Sequence, residues 1–356
     1  MRFLKSTITA IGILMLGATG TMAQDKLKVG FIYVGPIGDH GWTYQHNQGR
    51  LAVEKAFGDK VETIFVENVS EGPDAERAIE RLARDGNKLI FTTSFGFMNP
   101  TLKVAGRFPD VMFEHATGFK RADNVSTYSA RFYEGRYVIG QMAAKISKNG
   151  VAGYVASFPI PEVVRGINAF ILGARSVNPD FKLKVVWVNS WFDPGREADA
   201  AKALIDQGAD IITQHTDSPA PLQIAAERGI FGFGQASDMH SFAPDHQMTA
   251  IVDNWNDYYI ARTKAVMDGT WKSEDVWGGF AAKMVEMAPY TNVPDDIVAM
   301  ARKTAADIES GKLEPFKGPI RRQDGSEVIG KGESLSDEVL LGMNYYVEGV
   351  EGDLPQ

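Results

Sequence analysis

The sequence contains no cysteine. That excludes disulfides, a thiol nucleophile, thiolate metal sites and a lipid-modified cysteine behind an export signal. Positive charge is not in excess. Against 45 Asp and Glu stand 37 Lys and Arg, a formal net charge of −8, which gives no electrostatic reason to bind nucleic acid or an anionic membrane. Past the N-terminus there is no apolar run long enough to span a bilayer, no low-complexity tract and no repeat array. His40, His46, His115, His215, His240 and His246 are scattered, without the one-turn spacing and glutamate of a helical metal site. A Gly-x-Ser-x-Gly elbow, a Walker loop and a dinucleotide fingerprint are all missing. In Gly35-Pro36-Ile37-Gly38 a proline stands where a phosphate loop needs a backbone N–H, which argues against nucleotide phosphates. No catalytic residue, metal or cofactor is therefore assigned.

What is present begins with a processing signal. Arg2 and Lys5 form a basic region, residues 8–16 an apolar one, and Thr21-Met22-Ala23 a small-residue cleavage site. Cleavage after Ala23 is expected, with export to the periplasm, and it takes the formal charge from −8 to −10. The remaining chain can bury a core large enough for two domains.

Strand and helix patterns then alternate. Strands are predicted at 28–34, 61–67, 88–93 and 111–115, with helices between them at 42–57, 73–84 and 99–107. Residues 124–132 add a strand, and 133–147 a helix that closes the unit. After Lys148-Asn149-Gly150 the rhythm restarts, with strands at 151–157, 183–189, 210–214 and 230–233 and helices at 161–177, 197–207 and 219–228. Such a βα rhythm implies parallel sheets covered on both faces. The tail reads as a strand at 249–253, helices at 258–268 and 294–310, and a hairpin at 320–328 around Asp324-Gly325. It would tie the halves together as a hinge. The expected division is a signal at 1–23, a first lobe of 25–148 plus about 254–285, and a second of 149–253 plus about 286–356.

In open parallel sheets, ligands bind at the carboxyl ends of strands. Aromatics gather there in both halves: Trp42 after the first strand, then Phe95, Phe132, Phe158 and Trp191. Trp42 and Trp191 sit in Gly/Pro-rich turns and are taken as the two walls of a sandwich for a planar, mostly apolar ligand. Asp39, Thr216, Asp217, Asp238, Asp253 and Asn254 occupy similar ends and would read the ligand's edges. Asp39 serves equally well as an N-cap for the Trp42 helix. Carboxylates accept from exocyclic amines and ring N–H groups, so a donor-rich neutral ligand is expected.

The chain resembles the basic-membrane-protein type of ABC-transporter substrate-binding protein, similar to the purine-nucleoside-binding PnrA proteins. The resemblance is carried by Asp39-His40-Gly41-Trp42, Phe132-Tyr133-Glu134-Gly135 with Gly140, and Arg165-Gly166-Ile167-Asn168-Ala169-Phe170. Asn189-Ser190-Trp191-Phe192-Asp193, Asn254 and Gly269-Thr270-Trp271 complete it. It implies an α/β, type I periplasmic-binding fold of two Rossmann-like lobes joined by a multi-strand hinge. It also implies that the residues matching Trp42 and Trp191 stack on a purine, and that an inner-membrane ABC permease is the partner. Two departures bear on the ligand. In Gly234-Gln235-Ala236-Ser237-Asp238, alanine holds a place that is acidic in nucleoside binders, and Asp253 stands where they carry a lysine. A site that no longer pairs the ribose hydroxyls rejects the sugar, so the expectation is a monomeric, non-enzymatic receptor for a free purine base, adenine favoured. A receptor for nucleosides or for another small neutral solute such as a sugar is the alternative, and a periplasmic nucleoside hydrolase or deaminase the lesser one.

Overall fold

A computed structural model describes residues 26–38 and 40–355. The processing signal and Asp39 lie outside the described residues. The first half alternates β1 (Leu27–Ile32), α1 (Gly41–Phe57), β2 (Val61–Val66), α2 (Pro73–Arg84), β3 (Leu89–Thr92), α3 (Met98–Ala105), β4 (Met112–Ala116) and β5 (Val125–Ala130). The rhythm continues through α4 (Tyr133–Ile146), β6 (Val151–Ala156), α5 (Pro161–Arg175), β7 (Lys182–Trp187) and α6 (Pro194–Asp206). It then runs through β8 (Ile211–His215), α7 (Ala220–Glu227), β9 (Phe231–Gly234) and β10 (Gln247–Asp253). The tail adds α8 (Asn256–Met267), β11 (Asp275–Gly278), β12 (Val285–Met287), α9 (Asp295–Glu309), β13 (Ile320–Arg321), β14 (Glu327–Ile329), α10 (Asp337–Leu341) and β15 (Val350–Glu351).

Two large sheets result. A six-stranded sheet runs β11-β5-β4-β3-β1-β2, every neighbour parallel. A seven-stranded sheet runs β12-β10-β9-β8-β6-β7-β15, parallel except where β12 meets β10. The central strands are buried on both faces because helices cover both: β3 and β8 have no exposed residue. Helix α2 shows the complementary pattern. Ala75, Ile79, Leu82 and Ala83 face inward while Asp74, Arg77, Arg81 and Arg84 face solvent, and Pro73 opens the helix where its missing N–H costs nothing.

The chain passes between the two lobes after β5, after β10 and after β11. At these crossings Arg131 N–H donates to the Gly278 carbonyl and Asn254 N–H to that of Met284. Glu134, the third residue of the Phe132-Tyr133-Glu134-Gly135 run, accepts from Phe280 N–H at 2.7 Å.

Helix α4 departs from its expected place. It does not close the first unit but packs along α5 in the second. Glycines make this approach possible: a Cβ on Gly140 would lie 2.0 Å from the Phe170 carbonyl oxygen, and one on Gly173 2.1 Å from that of Tyr137. The short strands β11, β12 and β15 and the helix α10 had no counterpart in the sequence reading, being too brief to show a period. The hairpin around Asp324-Gly325 forms as β13 and β14.

Gly140→Ala and Gly173→Ala are each expected to destabilise the protein by about 1–3 kcal/mol, as overpacking does, seen as a fall in the denaturation midpoint. Gly106→Ala, where the nearest atom is 3.7 Å away, should leave that midpoint almost unchanged.

Candidate functional site

Both sheets reverse strand order at one place: between β1 and β3 in the first lobe, and between β6 and β8 in the second. The crevice outside such a switch point is where open α/β sheets bind ligands. Here the two crevices face one another and form a single cleft. Val34, Trp42, Ser94, Phe95 and Thr117 line it from the first lobe, and Glu162, Trp191, His215, Asp217 and Gln235 from the second. A larger surface depression around Lys26, Lys28, Lys60 and Lys88 lies at the amino end of β1, away from either switch point.

Each indole is fixed by its own N–H. Trp42, the second residue of α1, donates from Nε1 to the Thr93 carbonyl at 2.7 Å. His46 supports its ring edge-on with centroids 4.3 Å apart, and His46 in turn stacks on the fully buried Trp255 at 4.9 Å. Trp191 donates from Nε1 to Glu71 Oε1 at 3.2 Å and leans on Phe158 with centroids 5.0 Å apart. Both rings remain half-buried.

The lobes touch where α1 begins. Gly41 N–H donates to Ser237 Oγ at 2.6 Å, and Trp42 N–H to Asp217 Oδ1 at 3.4 Å. Asp217 N–H donates to the Trp191 carbonyl at 2.9 Å, so a single turn ties the second indole to the start of the first lobe's helix.

Glu162 and Asp217 bring two acids to the polar lining, beside Ser94, Thr117, His215 and Gln235. Burial, and next the Glu197 carboxylate, pushes the Asp217 carboxyl up to about 8. Burial likewise raises Glu162 and, more strongly, Asp253, whose two oxygens have no protein hydrogen-bond donor. His215 is held well below its ordinary value by burial and then by Arg136 and Arg165, which keeps the ring neutral with Nδ1 unpaired. Beneath this layer the buried Arg136 donates to Thr213 Oγ1 at 3.0 Å, to the Gln214 carbonyl at 2.7 Å and to Gln235 Oε1. These bonds fix the amide of Gln235 at the cleft floor.

The sequence-predicted residues divide. Trp42, Trp191, Phe95 and Asp217 line the cleft together. Phe158 backs Trp191, and Asp253 lies buried beside Asp217 and Glu162. Thr216 is buried, its carbonyl accepting from Gln214 Nε2 at 2.7 Å. Three expected ligand contacts fall elsewhere. Phe132 is buried in the core under Arg136, 4.9 Å from ring to guanidinium. Asp238 is drawn off by Gln247 Nε2 and His240 N–H, at 2.7 and 3.0 Å, because the turn after Ser237 leads away from the cleft. Asn254 donates to Glu286 at 2.9 Å on the hinge. The sequence reading did not anticipate Glu162, His215 and Gln235. Glu162 opens the helix after β6 just as Trp42 opens the helix after β1, so matching the two halves position by position is the signal that points to it. Among the described residues, no group of three or more His, Asp or Glu converges to hold a metal ion.

A bilobal α/β chain with its cleft at paired switch points is a type I periplasmic-binding fold, the architecture of solute-binding proteins. The description "ABC transporter substrate-binding protein PnrA-like" matches residues 26–316, and the chain belongs to that family. It is 66% identical to a purine-binding protein of Brucella abortus, over 98% of this chain and 99% of that one. It is 37% identical to a putative ABC transporter glucose-binding protein of Haloferax volcanii, over 94% of this chain and 83% of the relative. Among solved structures, an ABC transporter solute-binding protein from Aeropyrum pernix superposes with a TM-score of 0.70 at 19% identity, covering 81% of this chain and 92% of that one.

Asp217 makes a pH prediction. In the unfolded chain its carboxyl titrates near 4, and in the fold near 8. Its stabilising contribution is therefore complete below about pH 4 and is lost as pH rises through about 8. Asp217→Asn has nothing to ionise. In thermal denaturation without ligand, its midpoint should gain on the wild type's as pH rises from about 5 to about 8. The depressed histidines His46, His115 and His215 act in the opposite sense, but they are common to both proteins.

Proposed function

We propose that this protein is the exported receptor of an ABC importer and captures a free purine base, adenine in preference to guanine or xanthine, between its lobes. The observation that carries the reading is the pair of indoles, one from each lobe, lining one cleft with both N–H groups engaged on protein acceptors. With their edges satisfied, the rings have their faces left to offer, and flat heterocycles stack on faces. The 66% identity to a purine-binding protein supports the same ligand class.

Asp217 and Asp253 supply acceptors for an exocyclic amine and a ring N–H. The unpaired oxygens of Asp253 are costly when buried, and a ligand donor would relieve that cost. The free base is favoured over the nucleoside because Ala236 and Asp253 replace the groups that would hold a ribose. The ligand enters the open cleft, the lobes close, and the closed shape is what the permease engages. We place the mature chain in the periplasm as a monomer with no catalytic role. The second reading is a receptor for a neutral sugar, favoured by the glucose-binding name of the 37% identical relative and by a lining of acceptors that would pair hydroxyls as readily as amines.

Titration calorimetry with adenine, guanine, xanthine, adenosine and glucose separates these. Adenine should bind tightest, and tight adenosine with silent adenine would overturn the free-base reading. Trp42→Ala and Trp191→Ala should each weaken adenine by roughly 10- to 100-fold, the worth of about 1–3 kcal/mol per stacked base, without lowering the unliganded midpoint to a matching degree.

A further inference from the structure

Glu71 lies in the connection from β2 to α2, outside the cleft lining, yet three donors converge on its Oε1. Ser94 Oγ donates at 2.5 Å and Gly96 N–H at 3.0 Å, both from the first lobe. The third is the Trp191 indole at 3.2 Å, from the second. The first two aim the carboxylate, and the third spans the mouth of the cleft. Gly96 makes the arrangement possible, since a Cβ there would fall 2.2 Å from the Glu71 carboxyl carbon. Trp191 and Glu71 sit on different lobes, so this bond exists only when the lobes are shut. An indole N–H on a carboxylate is a charge-assisted bond, stronger than a neutral one.

We infer that Glu71 is a closure latch: a positioning residue that locks the Trp191 ring over the ligand and sets how long the closed complex lasts. The inference rests on the cleft being the ligand site. Opening breaks the latch, and encounter with the open cleft does not involve it. The latch therefore acts on the dissociation rate and leaves association alone. Ser94 lines the cleft and also holds Glu71, so a ligand that engages Ser94 bears directly on the latch.

The test is a double-variant cycle read by stopped-flow kinetics with adenine. Glu71→Ala should speed dissociation about tenfold and change association by less than about twofold. Trp191→Phe keeps a ring and loses the N–H, and should do likewise, with the combined variant no worse than either alone. Glu71→Gln retains an oxygen acceptor and should recover part of the loss. Gly96→Ala, which displaces the carboxylate without removing it, should repeat the Glu71→Ala effect. Effects that add fully in the combined variant, or that fall on association, overturn the latch.

If the wild type ignores adenine, the purine reading fails while the latch stays testable. The absence of native cysteine allows a clean spin-label pair at Arg81→Cys and Asp199→Cys, both exposed and on opposite lobes. In the unliganded protein, Glu71→Ala must shift the interlobe distances toward the longer population. An unchanged distribution overturns the proposal.

Discussion

Where α1 begins, no side chain fits. A Cβ on Gly41 would lie 2.7 Å from the Asp217 carbonyl oxygen, and the backbone there adopts φ +78, a conformation open to glycine and strained for other residues. This contact brings the backbone of one lobe onto a turn of the other, and the remaining geometry of the cleft follows. Trp42 is the next residue, so its ring is placed by the same contact. Asp217 holds the carbonyl of Trp191, so the opposite ring is placed by it too. A cleft built this way is complete only when both halves meet, so in the proposed function recognition and closure become one event.

The polar floor of the cleft works against stability. Asp217, Asp253 and Glu162 are withdrawn from water, which disfavours their charged forms; Arg136 offsets part of that cost at Asp253, and Arg165 and Arg136 part of it at Glu162. A fold selected for rigidity alone would have apolar groups at these places. Ala236, at φ +58 and fully buried, adds local backbone strain beside the same acids. Strain and unpaired polar groups gather in this one crevice, where the proposed ligand would meet them.

Much of the architecture was legible in the sequence, because parallel strands buried on both faces leave continuous apolar runs and helices such as α2 leave a clean amphipathic period. The walls of the cleft were legible for a related reason: tryptophan in a Gly/Pro-rich turn after a strand has few structural explanations. The polar residues were harder. Asp217 and Asp238 both follow predicted strands in turn-like contexts, and only the path of the backbone after Ser237 sends one into the cleft and the other to Gln247. Asn254 is claimed by Glu286, a partner distant in sequence that no local pattern reveals. Glu162 and His215 escaped notice since neither residue type stands out until the second half is laid over the first. The attachment of α4 to the second lobe depends on Gly140 meeting the Phe170 carbonyl, a fit invisible in one dimension.

The repeated passage of the chain between the lobes has a consequence for the order of assembly. The edge strand β11 of the first sheet, and the helix α8 that packs on α1, are encoded after every central strand of the second. As the polypeptide folds from its amino-terminal side, the first sheet must wait, incomplete along one margin, until α4 to α8 and β6 to β10 have followed. Neither half is a contiguous stretch, and a break at any single peptide bond between the crossings leaves two fragments that each lack a piece of their own layer. Such entangled connectivity raises the mean sequence separation of contacts and slows folding, while making the finished pair inseparable by a simple cut.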